Sequence, residues 1–342
     1  MDLSHAVMWI GFALASYSVV GNDVIQTLGT FLTSNERRVP WYVLWLYAGL
    51  ILSVILIYGY LQSDIDYGRL DRFSFPETYA WYHLLPPLVL LSITRLGIPV
   101  STTFMILTLF SLSGIPGELG AMTASLFDTS TELGGMAQKS VMGYIIAFSA
   151  GMAIFVAISR LTEKYFIENP LQEKHRYKWL IAQWCSTGFL WSQWLTQDLA
   201  NIYVYLRGGM TLTGFEFGIS LMILLLLLGY IFYNKGGAVQ DVVRSKTNTA
   251  DIRSATFVDL IYGIILYIFK EDYFGLWGGK LPMSTTWIFV GLLAGRELAM
   301  RIRLEGRIGS DTLRMLLGDL LKIFIGLLVS VVLVFIIKLL SG

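Results

Sequence analysis

The chain is poor in charge and almost without cysteine or histidine. Only 14% of its 342 residues are Asp, Glu, Lys or Arg, against 55% hydrophobic. So few charges exclude an ordinary soluble domain. The formal net charge of +1 argues against a highly charged partner such as nucleic acid. The single cysteine, Cys185, excludes an internal disulfide, and beside Trp184 in an apolar stretch it reads as packing. The three histidines, His5, His83 and His175, have no metal-ligand spacing and read as interfacial. A basic leader is missing as well. Asp2 stands where a signal peptide would carry its positive charges, so the first apolar run is expected to belong to the mature first helix.

What the chain has is long apolar runs. Residues 41–60, 141–158, 217–233 and 320–340 approach the roughly 20 apolar residues needed to span hydrocarbon. An all-α integral membrane protein is expected, in contact with the bilayer and with no organic cofactor.

Two short sequences occur twice. Pro99-Val100-Ser101-Thr102-Thr103 returns as Pro282-Met283-Ser284-Thr285-Thr286, 183 residues on (284 − 101). Each follows an aspartate inside an apolar segment: Asn22-Asp23-Val24-Ile25-Gln26 and Gln197-Asp198-Leu199-Ala200-Asn201, 175 residues apart (198 − 23). The chain therefore reads as two copies of one unit, residues 1–170 and 171–342. In a membrane, repeated halves that both keep a charge and a hydroxyl cluster point to a secondary transporter.

Each copy is expected to hold four elements. They are a long first segment with the aspartate (5–34, 177–206), a clean span (41–61, 215–233), two apolar arms around the Ser-Thr-Thr cluster (82–112, 256–300) and a final span (140–160, 318–340). The arms around Ser101 hold about 14 residues each, roughly 20 Å of helix and too short to cross. Pro86-Pro87 lies early in one arm, and Gly97 with Pro99 breaks the chain between them. Such arms read as a re-entrant hairpin. An odd number of crossings per copy inverts the second against the first. The fold expected is two inverted-topology repeats, each with a broken helix, full spans and a re-entrant hairpin. Charge is one-sided on that layout. Loops at 33–40, 160–178, 234–255 and 296–317 carry sixteen Lys and Arg, whereas 62–80, 112–139 and 207–213 carry four, Arg69, Arg72, Lys139 and Arg207. The positive-inside rule puts the first set in the cytoplasm and both termini outside, in the inner (plasma) membrane.

Asp23 and Asp198 are the sharpest residues, because an ionised carboxylate near the bilayer centre is costly and usually retained for ions, protons or substrate. Each is flanked by amides, Asn22 and Gln26 or Gln197 and Asn201. Carboxylate and amide oxygens are hard ligands suited to sodium, so a cation site is expected at these six residues. The blander reading is a hydrogen-bonded charge near a helix end. The clusters Ser101, Thr102, Thr103 and Ser284, Thr285, Thr286 begin as ordinary helix N-caps, which need one hydroxyl and not three. A helix N-terminus also offers free N–H groups and partial positive charge, so the clusters are expected to bind a small oxyanion. An anion there would be repelled by the two carboxylates until cations sit between them, which is the physical basis of symport. Arg95 and Lys280 flank the clusters and either add fixed charge or snorkel. Lys270-Glu271-Asp272 reads as an internal ion pair or the end of a shorter arm, and Asp259, Asp319 and Lys322 as paired charges.

These residues resemble the inorganic phosphate transporter (PiT) family, as a distant member. Gly21-Asn22-Asp23-Val24 with Gly29-Thr30, and more loosely Gln197-Asp198-Leu199-Ala200-Asn201, look like its Gly-x-Asn-Asp-Val-Ala-Asn element. Arg95-Leu96-Gly97-Ile98-Pro99-Val100-Ser101-Thr102-Thr103 and Leu281-Pro282-Met283-Ser284-Thr285-Thr286 look like its Pro-Val-Ser-Thr-Thr-His element. The resemblance implies phosphate at the hydroxyl clusters, sodium near Asp23 and Asp198, cation-coupled symport and a homodimer. Phe104 and Trp287 stand where the family has His, Gln26 and Gln197 replace Asn, and the Gly-Pro after the second aspartate motif is missing. Sulfate therefore stays open as substrate, and protons as coupling ion. An intramembrane phosphatase would need a glutamate-rich motif and a Ser-Arg-Ser partner, neither of which occurs, so an enzyme is not expected. An oxyanion channel would keep the repeat but leave a continuous path.

Overall fold

The computed structural model describes residues 3–95, 100–111, 118–158, 163–206, 212–236, 251–271, 275, 280–305 and 310–341. Gly97, Pro99 and Asp272 lie outside them. The regular structure among the described residues is entirely helical. Helix α1 (Leu3–Val19) passes through a π-helical turn (Val20–Val24) into α2 (Ile25–Asn35), followed by α3 (Trp41–Leu61). A 3-10 turn (Trp81–Leu84) leads into α4 (Leu85–Arg95), then α5 (Thr102–Ser111), α6 (Leu119–Ser125), α7 (Glu132–Ile158) and α8 (Glu163–Glu168). The rest comprises α9 (Glu173–Asp198), α10 (Ala200–Tyr203), α11 (Gly214–Tyr233), α12 (Ile252–Glu271), α13 (Thr285–Met300) and α14 (Ser310–Ser341).

Among the described residues, six stretches are long and apolar enough to cross a membrane: Leu3–Val24, Trp41–Leu61, Glu132–Ala157, Gly214–Tyr233, Ile252–Lys270 and Leu316–Leu340. The protein is an all-α, multi-pass membrane protein. Helix α3 shows why such segments suit lipid: Leu44, Ala48, Leu52 and Leu56 are buried on one stripe, while Leu46, Leu50, Val54 and Leu61 lie exposed. It pairs antiparallel with α11, Trp41 meeting Tyr233 at one end and Tyr60 stacking on Phe217 at the other, with ring centroids 5.4 and 4.2 Å apart. Helix α9, though 26 residues long, opens on the polar run Glu173–Lys178 and turns Gln183, Thr187, Trp191 and Trp194 into protein.

Helices α4 and α5 have 11 and 10 residues, about 15 Å each, half of the roughly 30 Å hydrocarbon core. Pro86 and Pro87 sit in the first turn of α4, where a missing N–H breaks no helical bond. The corresponding pair in the second half is longer. Helix α12 runs 20 residues with no proline to shorten it, enough to cross, and α13 has 16. Packing pairs recur between the halves: α1 lies on α4 as α9 lies on α12, and α5 lies on α14 as α13 lies on α7. The α7–α13 seam is the tightest. A Cβ on Gly295 would sit 2.1 Å from the Phe148 carbonyl oxygen, and one on Gly291 2.6 Å from that of Tyr144. Glycine there lets two backbones touch, as small residues do between membrane helices.

Candidate functional site

Both aspartates stand where a helix loses its regular pairing. Asp23 lies in the π-helical turn, an irregularity common at functional sites. Asp198 ends α9, and Leu199 separates it from α10. Each is 1% exposed. Asn22 donates from Nδ2 to Asp23 Oδ1 at 2.7 Å and to the Val100 carbonyl at 2.7 Å. The Thr102 hydroxyl donates to the other oxygen, Asp23 Oδ2, at 2.5 Å.

One side chain ties the halves together. Asn201 Nδ2 donates to Asp198 Oδ1 at 2.8 Å and to the hydroxyls of Thr102 and Thr103, both at 3.2 Å. A continuous path therefore runs from Asp23 through Thr102 and Asn201 to Asp198. Thr103 Oγ1 also lies 3.4 Å from Asp198 Oδ1. Gln197 Nε2 bonds the Leu266 carbonyl at 3.3 Å, fixing the end of α9 to α12.

The segments leading into α5 and α13 meet, and they do so reciprocally. Thr103 donates to the carbonyl of Met283 at 3.2 Å, and Thr286 donates to the carbonyl of Val100 at 3.3 Å. Donor to donor and acceptor to acceptor, the offset is 183 residues (286 − 103 and 283 − 100). Phe104 and Trp287, again 183 apart (287 − 104), pack against each other with ring centroids 5.7 Å apart. They form an apolar floor under the hydroxyls where the resembling family has histidine. Ser101 and Ser284 act as N-caps, accepting from the backbone N–H of Phe104 at 3.2 Å and of Trp287 at 3.4 Å. Ser284 N–H donates in turn to Ser140 Oγ at 2.8 Å.

Four buried oxygens at this centre have no hydrogen-bond partner: Asn22 Oδ1, Asn201 Oδ1, Gln197 Oε1 and Asp198 Oδ2. Such acceptors are costly to bury unless something supplies positive charge or a donor. Gln26, one turn beyond Asn22, leaves its Nε2 without a partner instead. Among the described residues no three of His, Cys, Asp and Glu come together, and the oxygens at this centre belong to carboxylate, amide and hydroxyl groups.

Of the two readings open for the flanking cations, exposure fits side chains that snorkel. Arg95 and Lys280 are exposed. Two others, which read as loop charges in the sequence, are buried at the second segment: Arg69 donates to the Lys280 carbonyl at 3.0 Å and Lys139 to the Leu281 carbonyl at 3.1 Å. Asp259 is a further buried carboxylate, taking the hydroxyls of Thr30 and Thr187 at 2.5 Å each and so joining α2, α9 and α12. Lys270 lies over the Tyr267 ring at 5.8 Å. Cys185 is exposed on α9 rather than packed.

No family model matches the chain, and no curated protein matches it by sequence. The fold has a solved counterpart. A structure described as "The sodium-dependent phosphate transporter" aligns over 98% of this chain and 98% of its own, with a TM-score of 0.53 and 16% sequence identity. The likeness is one of fold, over nearly the whole of both chains.

Proposed function

We propose that the protein is a secondary active transporter, not an enzyme, that carries inorganic phosphate by symport with sodium. The observation that carries this reading is the buried shell of partnerless oxygens around Asp23 and Asp198, linked through Thr102 and Asn201 to the hydroxyl clusters. Sodium takes the carboxylates with Asn22, Gln26, Gln197 and Asn201 around them. Phosphate takes the N-termini of α5 and α13 with Ser101, Thr102, Thr103, Ser284, Thr285 and Thr286. Coupling follows from proton ownership. A hydroxyl has one proton, and that of Thr102 is committed to Asp23. A cation on the carboxylate weakens that pull, and the proton can then turn to an oxyanion. The anion therefore binds after the cation.

The two halves, 1–170 and 171–342, are read as inverted repeats, supported by the recurring packing pairs and the common offset of 183 residues. The resemblance adds a homodimer, and the loop charges add the inner membrane with both termini outside. Uptake into proteoliposomes tests the function. Labelled phosphate should accumulate only with an inward sodium gradient, and sulfate should compete weakly. Equal uptake without sodium would overturn the coupling ion, and preferential sulfate uptake would overturn the substrate.

A further inference from the structure

The segment Lys280–Ser284 has no regular secondary structure, and non-helical backbone inside a membrane protein must have its polar groups satisfied by protein or water. Here the partners of two successive carbonyls are full charges. Arg69 holds the carbonyl of Lys280 and Lys139 that of Leu281, and both side chains are about as buried as the core. The loop that delivers Arg69 is built for it. Tyr67 and Gly68 both have positive φ, 56° and 69°, and Asp64 and Asp66 side chains accept from the N–H groups of Gly68 and Leu70. Gly68, at φ 69°, lies against the Lys280 side chain, a Cβ there falling 2.9 Å from Lys280 Cδ. On the other side, the Leu281 side chain fills the space beside Gly135, and Ser140 next to Lys139 takes the Ser284 N–H. The first segment has another arrangement: the Val100 carbonyl accepts from Asn22 and Thr286.

We propose that Arg69 and Lys139 are positioning residues that latch the second segment, fixing Ser284 and Thr285 at the start of α13 and thereby setting oxyanion affinity without touching the anion. The latch rests on the transport reading for its effect on affinity, but not for its effect on the backbone. Full-length protein in lipid nanodiscs gives amide hydrogen exchange over 283–287, and proteoliposomes give KM and maximal rate for labelled phosphate. Lys139→Met keeps length and removes the donor, Lys139→Arg keeps a donor, and Arg69→Gln loosens the other arm should Lys139→Met fail to fold. Lys139→Met and Arg69→Gln should each speed exchange at Ser284 and Thr285 about tenfold or more and raise KM about tenfold, with maximal rate within about twofold. Lys139→Arg should stay within about threefold of wild type on both readouts. Unchanged exchange in the variants that fold would overturn the latch, and so would faster exchange with an unchanged KM. A wild-type protein that takes up no phosphate would instead overturn the transport reading, while exchange still decides whether the segment is latched.

Discussion

Asn201 and Thr102 carry the connection between two carboxylates that would otherwise be isolated in the protein interior. Asp23→Asn or Asp198→Asn keeps the shape of each site and removes one charge. Each should shift the sodium half-saturation of phosphate uptake upward by about tenfold or more, since a lost charge-assisted contact costs about 1.5–3 kcal/mol. A sodium titration in proteoliposomes checks this, and wild-type curves for both variants would make the aspartates structural. Thr102→Val and Thr285→Val remove a hydroxyl that an anion would need. Phosphate affinity should fall about ten- to a hundredfold in each. The aspartates were legible in the sequence because a charge inside an apolar run is conspicuous. Arg69 and Lys139 were not, because a charge written in a loop gives no sign that its side chain folds back into the protein.

At the scale of elements, the seam between α7 and α13 sets where the second hydroxyl cluster lies. Gly295→Ala would force a Cβ against the Phe148 carbonyl, and overpacking of this kind costs about 1–3 kcal/mol. Thermal unfolding in detergent should show the loss. Gly318→Ala, on α14 with nothing within 4 Å of its Cβ, should stay within about 0.5 kcal/mol of wild type. The spans α3, α7, α11 and α14 could be placed from the sequence because continuous apolar runs of that length have few other uses. The short helices α4 and α5 were equally visible through Pro86-Pro87. Two features left no local signal. The π-helical turn at Val20–Val24 reads as ordinary helix, and the length of α12 depends on how its apolar face packs on α9.

For the molecule as a whole, the charge bias makes a direct statement about orientation. In a Cys185→Ser background, Gln62→Cys and Asn234→Cys, both at exposed positions, should label from opposite faces of oriented membranes. Labelling from one face would overturn the arrangement of the repeats. The meeting of the two hydroxyl segments has a mechanical consequence. A joint held by one pin swivels, whereas a joint held by two cannot turn without shearing both. Thr103 on Met283 and Thr286 on Val100 are two such pins, one driven from each side. Removing either hydroxyl should let the two segments turn against each other at this point, while the α7–α13 seam and the Asp259 contacts still join the halves.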